Sequence, residues 1–194
     1  ARLAHCPGIT LDMLTEGALA LTVKDHRKMQ DFANSLIQRL NQANRVEITN
    51  SAGTNISMSV ERRPFFTDTM IDWKRLSWMN MPTGEVTVAP VEDSLEGELI
   101  CDMAIGGIGP VRTAVGITAK HGKVYKTESQ DDQLLRSVEE SLKTDSRAEI
   151  VGEFAFGINP KARFVEEFLE AEKILGTVHV AFGNNSDMPG GKNP

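Results

Sequence analysis

A mixed α/β chain of the α+β kind, with a largely antiparallel sheet flanked by helices, is predicted by three observations. Apolar residues recur at helical spacing in only a few stretches, chiefly near residues 24–42 and 129–142. Elsewhere the period drops to two. Turn chemistry joins strand to strand more often than it leaves room for a crossover helix.

Taken in order, "ITLDMLTEGAL" begins at a candidate N-cap, Thr10, and reads as a short helix stopping near Gly17. A longer helix is expected from about Lys24 to Gln42, capped by Thr22 with Asp25 in a near capping box. Its apolar stripe is Met29, Phe32, Ala33, Leu36, Ile37 and Leu40. "RVEITNSAGTNISMSVERR" alternates on both sides of a turn and predicts a hairpin. "WKRLSWMN" fits a helix or a strand equally.

From Glu85 to Lys126 the pattern is strand-rich, and "KHGK" predicts a turn that leaves His121 in solvent. "SQDDQLLRSVEESL" predicts a helix with Ser129 and Asp132 at capping-box positions. "AEIVGEFAFG" predicts a strand. "NPKARFVEEFLEAEKILG" predicts a helix over 161–175, capped by Asn159 and stopped at Gly176; "TVHVAFG" predicts the last strand.

Composition narrows the function classes. The chain has 194 residues, 40% hydrophobic and 25% charged, enough for one sizeable core; length favours one domain, or two small ones. Its net charge of −6 comes without a basic block, which argues against a nucleic-acid surface. No apolar run approaches the roughly 18 residues of a membrane helix, so the expectation is a soluble, cytoplasmic protein. Cys6 and Cys101 have no metal-site spacing and are expected as buried thiols in a reducing compartment. The chain opens at Ala1 and closes on the turn-rich "DMPGGKNP", which suggests an internal piece of a longer polypeptide.

Three strands share a peculiarity. Side chains alternate along a strand, so Glu85 shares a column with Thr87 and Ala89, Glu153 with Val151 and Ala155, and His179 with Ala181 and Gly183. Each strand thus offers one metal-ligand type beside small neighbours, with larger apolar groups behind. If the strands adjoin, two carboxylates and an imidazole converge, a donor set suited to Zn²⁺, Co²⁺, Mn²⁺ or Fe²⁺. Periodicity alone is served as well by acids facing water on half-exposed strands. "GGIGPVR" is read as a turn between strands, because Pro110 stands where a phosphate-binding helix would start.

The ordered motifs "NMPTGEVTVAPVEDSLEGEL", "VGEFAFGIN" and "VHVAFGNNSDMPGGKNP" resemble the thermophilic metallopeptidase family of aminopeptidase T-like enzymes, and "RLAHCPGIT" resembles an internal segment of it. The resemblance implies a metal-dependent aminopeptidase, acting on peptides through water activated by two divalent ions. It makes Glu85, Glu153 and His179 metal ligands, with one of the two glutamates a potential general base. Dimers are common in that family. Its pattern also includes a later His-x-Asp pair, which does not occur before Pro194, and a tyrosine roughly where Ser186 stands. With Ser186 there, the phenol that the resemblance implies is absent, which bears on peptidase activity more than on metal binding.

Two other readings stay open. The same superfamily includes ring-cleaving dioxygenases of dihydroxypyridine type, using one Fe²⁺ held by histidines and a carboxylate. A catalytically inactive homologue, or a scaffold whose acids face water, is the third. Release of N-terminal residues, oxygen uptake, and metal content after alanine replacement separate them.

Overall fold

The computed structural model describes residues 20–70, 81–165 and 168–194. The expectations for the first helix, for "RLAHCPGIT" and Cys6, and for "WKRLSWMN" lie outside the described residues. In chain order the elements are helix α1 (Val23–Leu40) and strands β1 (Arg45–Thr49), β2 (Asn55–Ser59), β3 (Phe66–Thr67), β4 (Glu85–Val88), β5 (Glu96–Cys101), β6 (Ala104–Ile105), β7 (Gly109–Pro110), β8 (Val115–Lys120) and β9 (Lys123–Ser129). Helix α2 (Asp132–Ser141), strand β10 (Val151–Gly157), helix α3 (Phe168–Ala171) and strand β11 (Val178–Phe182) complete the order. None of the described helices is long and apolar enough to cross a membrane.

The chain divides into two compact units of three segments each. The first takes the described residues up to Leu40, then Phe65–Thr87 and Ala155–His179; the second takes Asn41–Pro64, Val88–Phe154 and Val180–Pro194.

In the first unit, α1 starts where its cap predicts. Thr22 donates from its amide and hydroxyl to Asp25 Oδ2, and the Asp25 amide donates back to Thr22 Oγ1 at 3.1 Å. The reciprocal bonds satisfy amides that the first helical turn leaves without partners. Met29 and Ala33 are buried along the stripe, whereas Phe32 is exposed.

In the second unit, a five-stranded sheet runs β1-β2-β5-β8-β9, antiparallel at every pairing. The β1–β2 hairpin and the β8–β9 hairpin follow the turn chemistry. At the latter, His121 (φ 51) and Gly122 (φ 76) both take positive φ, as a tight hairpin turn requires. His121 is exposed there, as expected. Val115, Ile117 and Val138 bury α2 against the sheet, with Leu134 and Leu142 from its apolar face packed beside them. Burying each such valine or isoleucine contributes about 1.5–3 kcal/mol.

A further sheet has four strands in the order β11-β10-β4-β3, with β3 and β4 antiparallel. Its strand β4 is buried at all four positions. A strand covered on both faces cannot turn alternate residues to water, which removes the solvent-face account of Glu85.

Several expectations need correction. Asp131, not Ser129, caps α2, its carboxylate accepting from the Gln133 and Leu134 amides at 3.0 Å. The helix expected over 161–175 is confined to Phe168–Ala171 among the described residues. Asn159 Oδ1 does accept from the Lys161 and Ala162 amides, as a cap would, but the Arg163 amide donates to the Glu170 carboxylate, away from a helical ladder. Cys101 is only partly buried, and Val178, expected to pack inward, is 43% exposed. "GGIGPVR" is the expected turn, closed by the short β6–β7 pairing.

Candidate metal centre

Glu85 opens β4, and the residues around it hold its backbone from both sides. Gly84 has φ 137, a conformation L side chains avoid, and a Cβ there would meet Asn159 Cβ at 2.5 Å. The Asp68 carboxylate accepts from the Gly84 and Glu85 amides at 2.9 Å each. Thr67 Oγ1 donates to the Glu85 carbonyl at 2.7 Å. Asn159, fully buried, donates to the Thr83 carbonyl, and the Ile158 amide donates to Gly84. The "PTGEV" turn is therefore fixed by side chains far from it in sequence.

The Glu85 carboxylate has two unlike oxygens. Oε1 lies 2.8 Å from Lys173 Nζ, a side chain with no exposed surface. Lys173 also bonds Glu172. Oε2 is buried and has no hydrogen-bond partner; it stands 3.5 Å from His179 Nε2. A buried carboxylate oxygen without a donor is costly unless a cation completes it.

The charges here perturb one another. Burial works to strip the Lys173 ammonium of its proton, but the carboxylates of Glu85, Glu172 and Asp68 outweigh it and hold it above the ordinary lysine range. Burial, followed by the charge of Glu85, pushes Asp68 up to about 7 although Lys173 and two backbone amides oppose it. Burial likewise raises Glu172, against the pull of Lys173. Strongly shifted groups gathered round one carboxylate mark a functional site more often than ordinary surface does.

Glu85, Glu153 and His179 come together. Each offers one ligand atom, and these atoms all lie within 4.8 Å of one another, with Glu85 buried and the other two half-buried. They stand on β4, β10 and β11, neighbours in the four-stranded sheet.

The family pattern described as thermophilic metalloprotease (M29) matches residues 20–192. The chain belongs to this M29 family. No curated protein sequence matches it. Among solved structures it is similar to a 2,5-dihydroxypyridine dioxygenase from Pseudomonas putida KT2440, with a TM-score of 0.76 and 18% identity over 91% of this chain and 53% of that one. It is also similar to wild-type AmpT from Thermus thermophilus, with a TM-score of 0.69 and 20% identity over 87% of this chain and 44% of the other. At these identities the likeness is one of fold, and the M29 chain spans about half the length of either structure.

A divalent ion fits the donors of this M29 chain. Ligand atoms at about 2.0–2.2 Å from one ion lie about 3–4 Å apart, so a 4.8 Å spread needs only a small closure. The orphaned Glu85 Oε2 is the strongest single sign that these donors suit a cation. Sequence reading missed Lys173, Asp68, Glu172 and the tethering role of Asn159. Lys173 and Glu172 lay hidden in a stretch read as helix, where lysine and glutamate are unremarkable. Ser186, in the expected tyrosine's place, is exposed and its hydroxyl donates to Asn184 Oδ1 at 2.9 Å.

Proposed function

We propose that this protein is a metal-dependent aminopeptidase whose ion is held by Glu85, Glu153 and His179. The observation that carries the reading is the orphaned, buried Glu85 Oε2 in a chain of the M29 family, with two further ligand atoms close by. A bound divalent ion would lower the pKa of a water and polarise the scissile carbonyl. The chain's own residues supply the frame. Lys173 holds Oε1 of Glu85 and so turns Oε2 toward His179. Asp68 and Thr67 pin the strand start that carries Glu85. Glu153 serves as ligand or as general base toward the attacking water. Peptide substrates, a cytoplasmic location and a homodimer belong to this reading by analogy; sedimentation of the purified protein would count its subunits.

The test is direct. Metal-loaded protein should release N-terminal residues from short peptides, and no turnover with Zn²⁺, Co²⁺ or Mn²⁺ would refute the activity. Glu153→Gln and His179→Ala should each weaken metal binding by more than about 10-fold, measured by titration. Unchanged metal affinity in both would remove the ligand assignment.

Ring-cleaving dioxygenase chemistry is the second reading, favoured by the likeness to the Pseudomonas putida enzyme. Iron oxygenases of the relevant type use two histidines and one carboxylate. The described triad reverses that ratio. Oxygen uptake with Fe²⁺ and 2,5-dihydroxypyridine, without peptide hydrolysis, would reverse the ranking.

A further inference from the structure

We propose that Lys173 is a built-in cation that keeps Glu85 from bridging two metal ions, so that Glu85 binds a single ion through Oε2. The proposal rests on the metal reading above and sharpens it. A glutamate that bridges two ions gives one oxygen to each, and the ions then sit about 3.5–4 Å apart. Here the two oxygens are already differentiated. Oε1 is engaged at 2.8 Å by an ammonium with no exposed surface, while Oε2 is buried without a hydrogen-bond donor.

The ammonium is not free to leave. Lys173 bonds Glu172 as well as Glu85. Its backbone is tied on both sides of the peptide: the amide donates to Glu170 at 3.0 Å, and the carbonyl accepts from the Asn159 amide at 2.8 Å. Asn159 in turn holds the turn before Glu85 through the Thr83 carbonyl. Lysine and carboxylate are thus positioned by one hydrogen-bonded frame. A divalent ion on Oε1 would have to stand beside that ammonium in a site with little water to screen the repulsion. Releasing the lysine would leave Glu172 and Oε1 buried and unpaired, so the fixed charge stays. Lys173 is a positioning residue: it assigns one oxygen of the ligand to itself and presents the other.

The experiment counts ions. Intact protein, stripped and then titrated with Mn²⁺, should bind one ion per chain at the Glu85 site. Its electron paramagnetic resonance spectrum should show an isolated Mn²⁺ signal, without the exchange coupling of a close pair. Lys173→Met should raise the count to two and introduce coupling, while Lys173→Arg should keep one. Two coupled ions in the unsubstituted protein would overturn the proposal and leave the metal reading standing. No bound ion would overturn both. A folded Lys173→Met protein that still binds one ion would overturn the role given to Lys173. Where that variant fails to fold, the count and coupling in the unsubstituted protein decide the matter.

Discussion

At Gly84 one missing side chain sets the direction of Glu85. A methyl group there would have to share space with Asn159 Cβ at 2.5 Å and Met29 Sδ at 3.1 Å, on a backbone with φ 137. Strain and overpacking together predict that Gly84→Ala costs about 2–4 kcal/mol in urea unfolding. A loss below about 0.5 kcal/mol would show that the turn relaxes freely. Asn159 is the partner residue. Truncating it leaves the Thr83 carbonyl and the Lys161 and Ala162 amides without their bonds. Asn159→Ala should therefore cost about 1–3 kcal/mol and should also weaken metal binding, because the frame of both Glu85 and Lys173 loosens. Metal affinity unchanged in a destabilised variant would separate the two effects and argue against a shared frame.

Among the elements, the helix α2 shows how near a local reading comes and where it stops. Ser129 and Asp132 have capping-box spacing, yet Asp131 caps, since its carboxylate reaches two amides while Ser129 Oγ accepts from the Asp131 amide. Asp131→Ala should lose about 1 kcal/mol, with Ser129→Ala losing clearly less; the reverse order in thermal unfolding would restore the capping-box account. Strand β4 teaches a related lesson. Its sequence alternates polar and apolar as a half-exposed strand would, but all four positions are buried. The alternation of Glu85 and Thr87 with valines marks two covered faces, one of them polar. The stretch after Asn159 fails in the other direction: Asn-Pro opens many helices, and here the same amide-capping bonds form without a helix over 161–165.

In the molecule at large, residues distant in sequence close each unit. Within the second unit Glu92 accepts from Arg63 at 2.5 Å, from the Lys192 amide at 2.7 Å and from Asn185 at 3.3 Å, while Arg63 also donates to the Gly190 carbonyl. Burial alone would raise Glu92, but the donors of Arg63, Lys192 and Asn185 outweigh it and hold the carboxyl below its ordinary 4.5. A depressed folded value means the clamp contributes its stability above the ordinary glutamate value and loses it as pH falls through the folded one. Unfolding followed from pH 6 to pH 3 should show a loss that Glu92→Gln abolishes, the variant being about 3 kcal/mol less stable at pH 6 because Arg63 is left buried without its partner. An acid slope identical in both proteins would remove Glu92 as its source.

What the sequence by itself determined is everything governed by near neighbours. Hairpin turns, the Thr22–Asp25 cap of α1, the apolar face of α2 and the columns that carry Glu85, Glu153 and His179 follow from periods of two and 3.6 and from side chains reaching three residues along the chain. Only the tertiary structure decided that β4 is covered on both faces, that Lys173 lies buried against Glu85, and that Asp68 and Asn159 fix the turn before it. Those outcomes depend on contacts between residues from 16 to more than 80 positions apart, as in the Asp68–Gly84 bond and the Lys173–Glu85 pair. A lysine's local pattern is the same whether its ammonium ends in water or between two carboxylates; burial makes the difference, and burial is a property of the assembled chain.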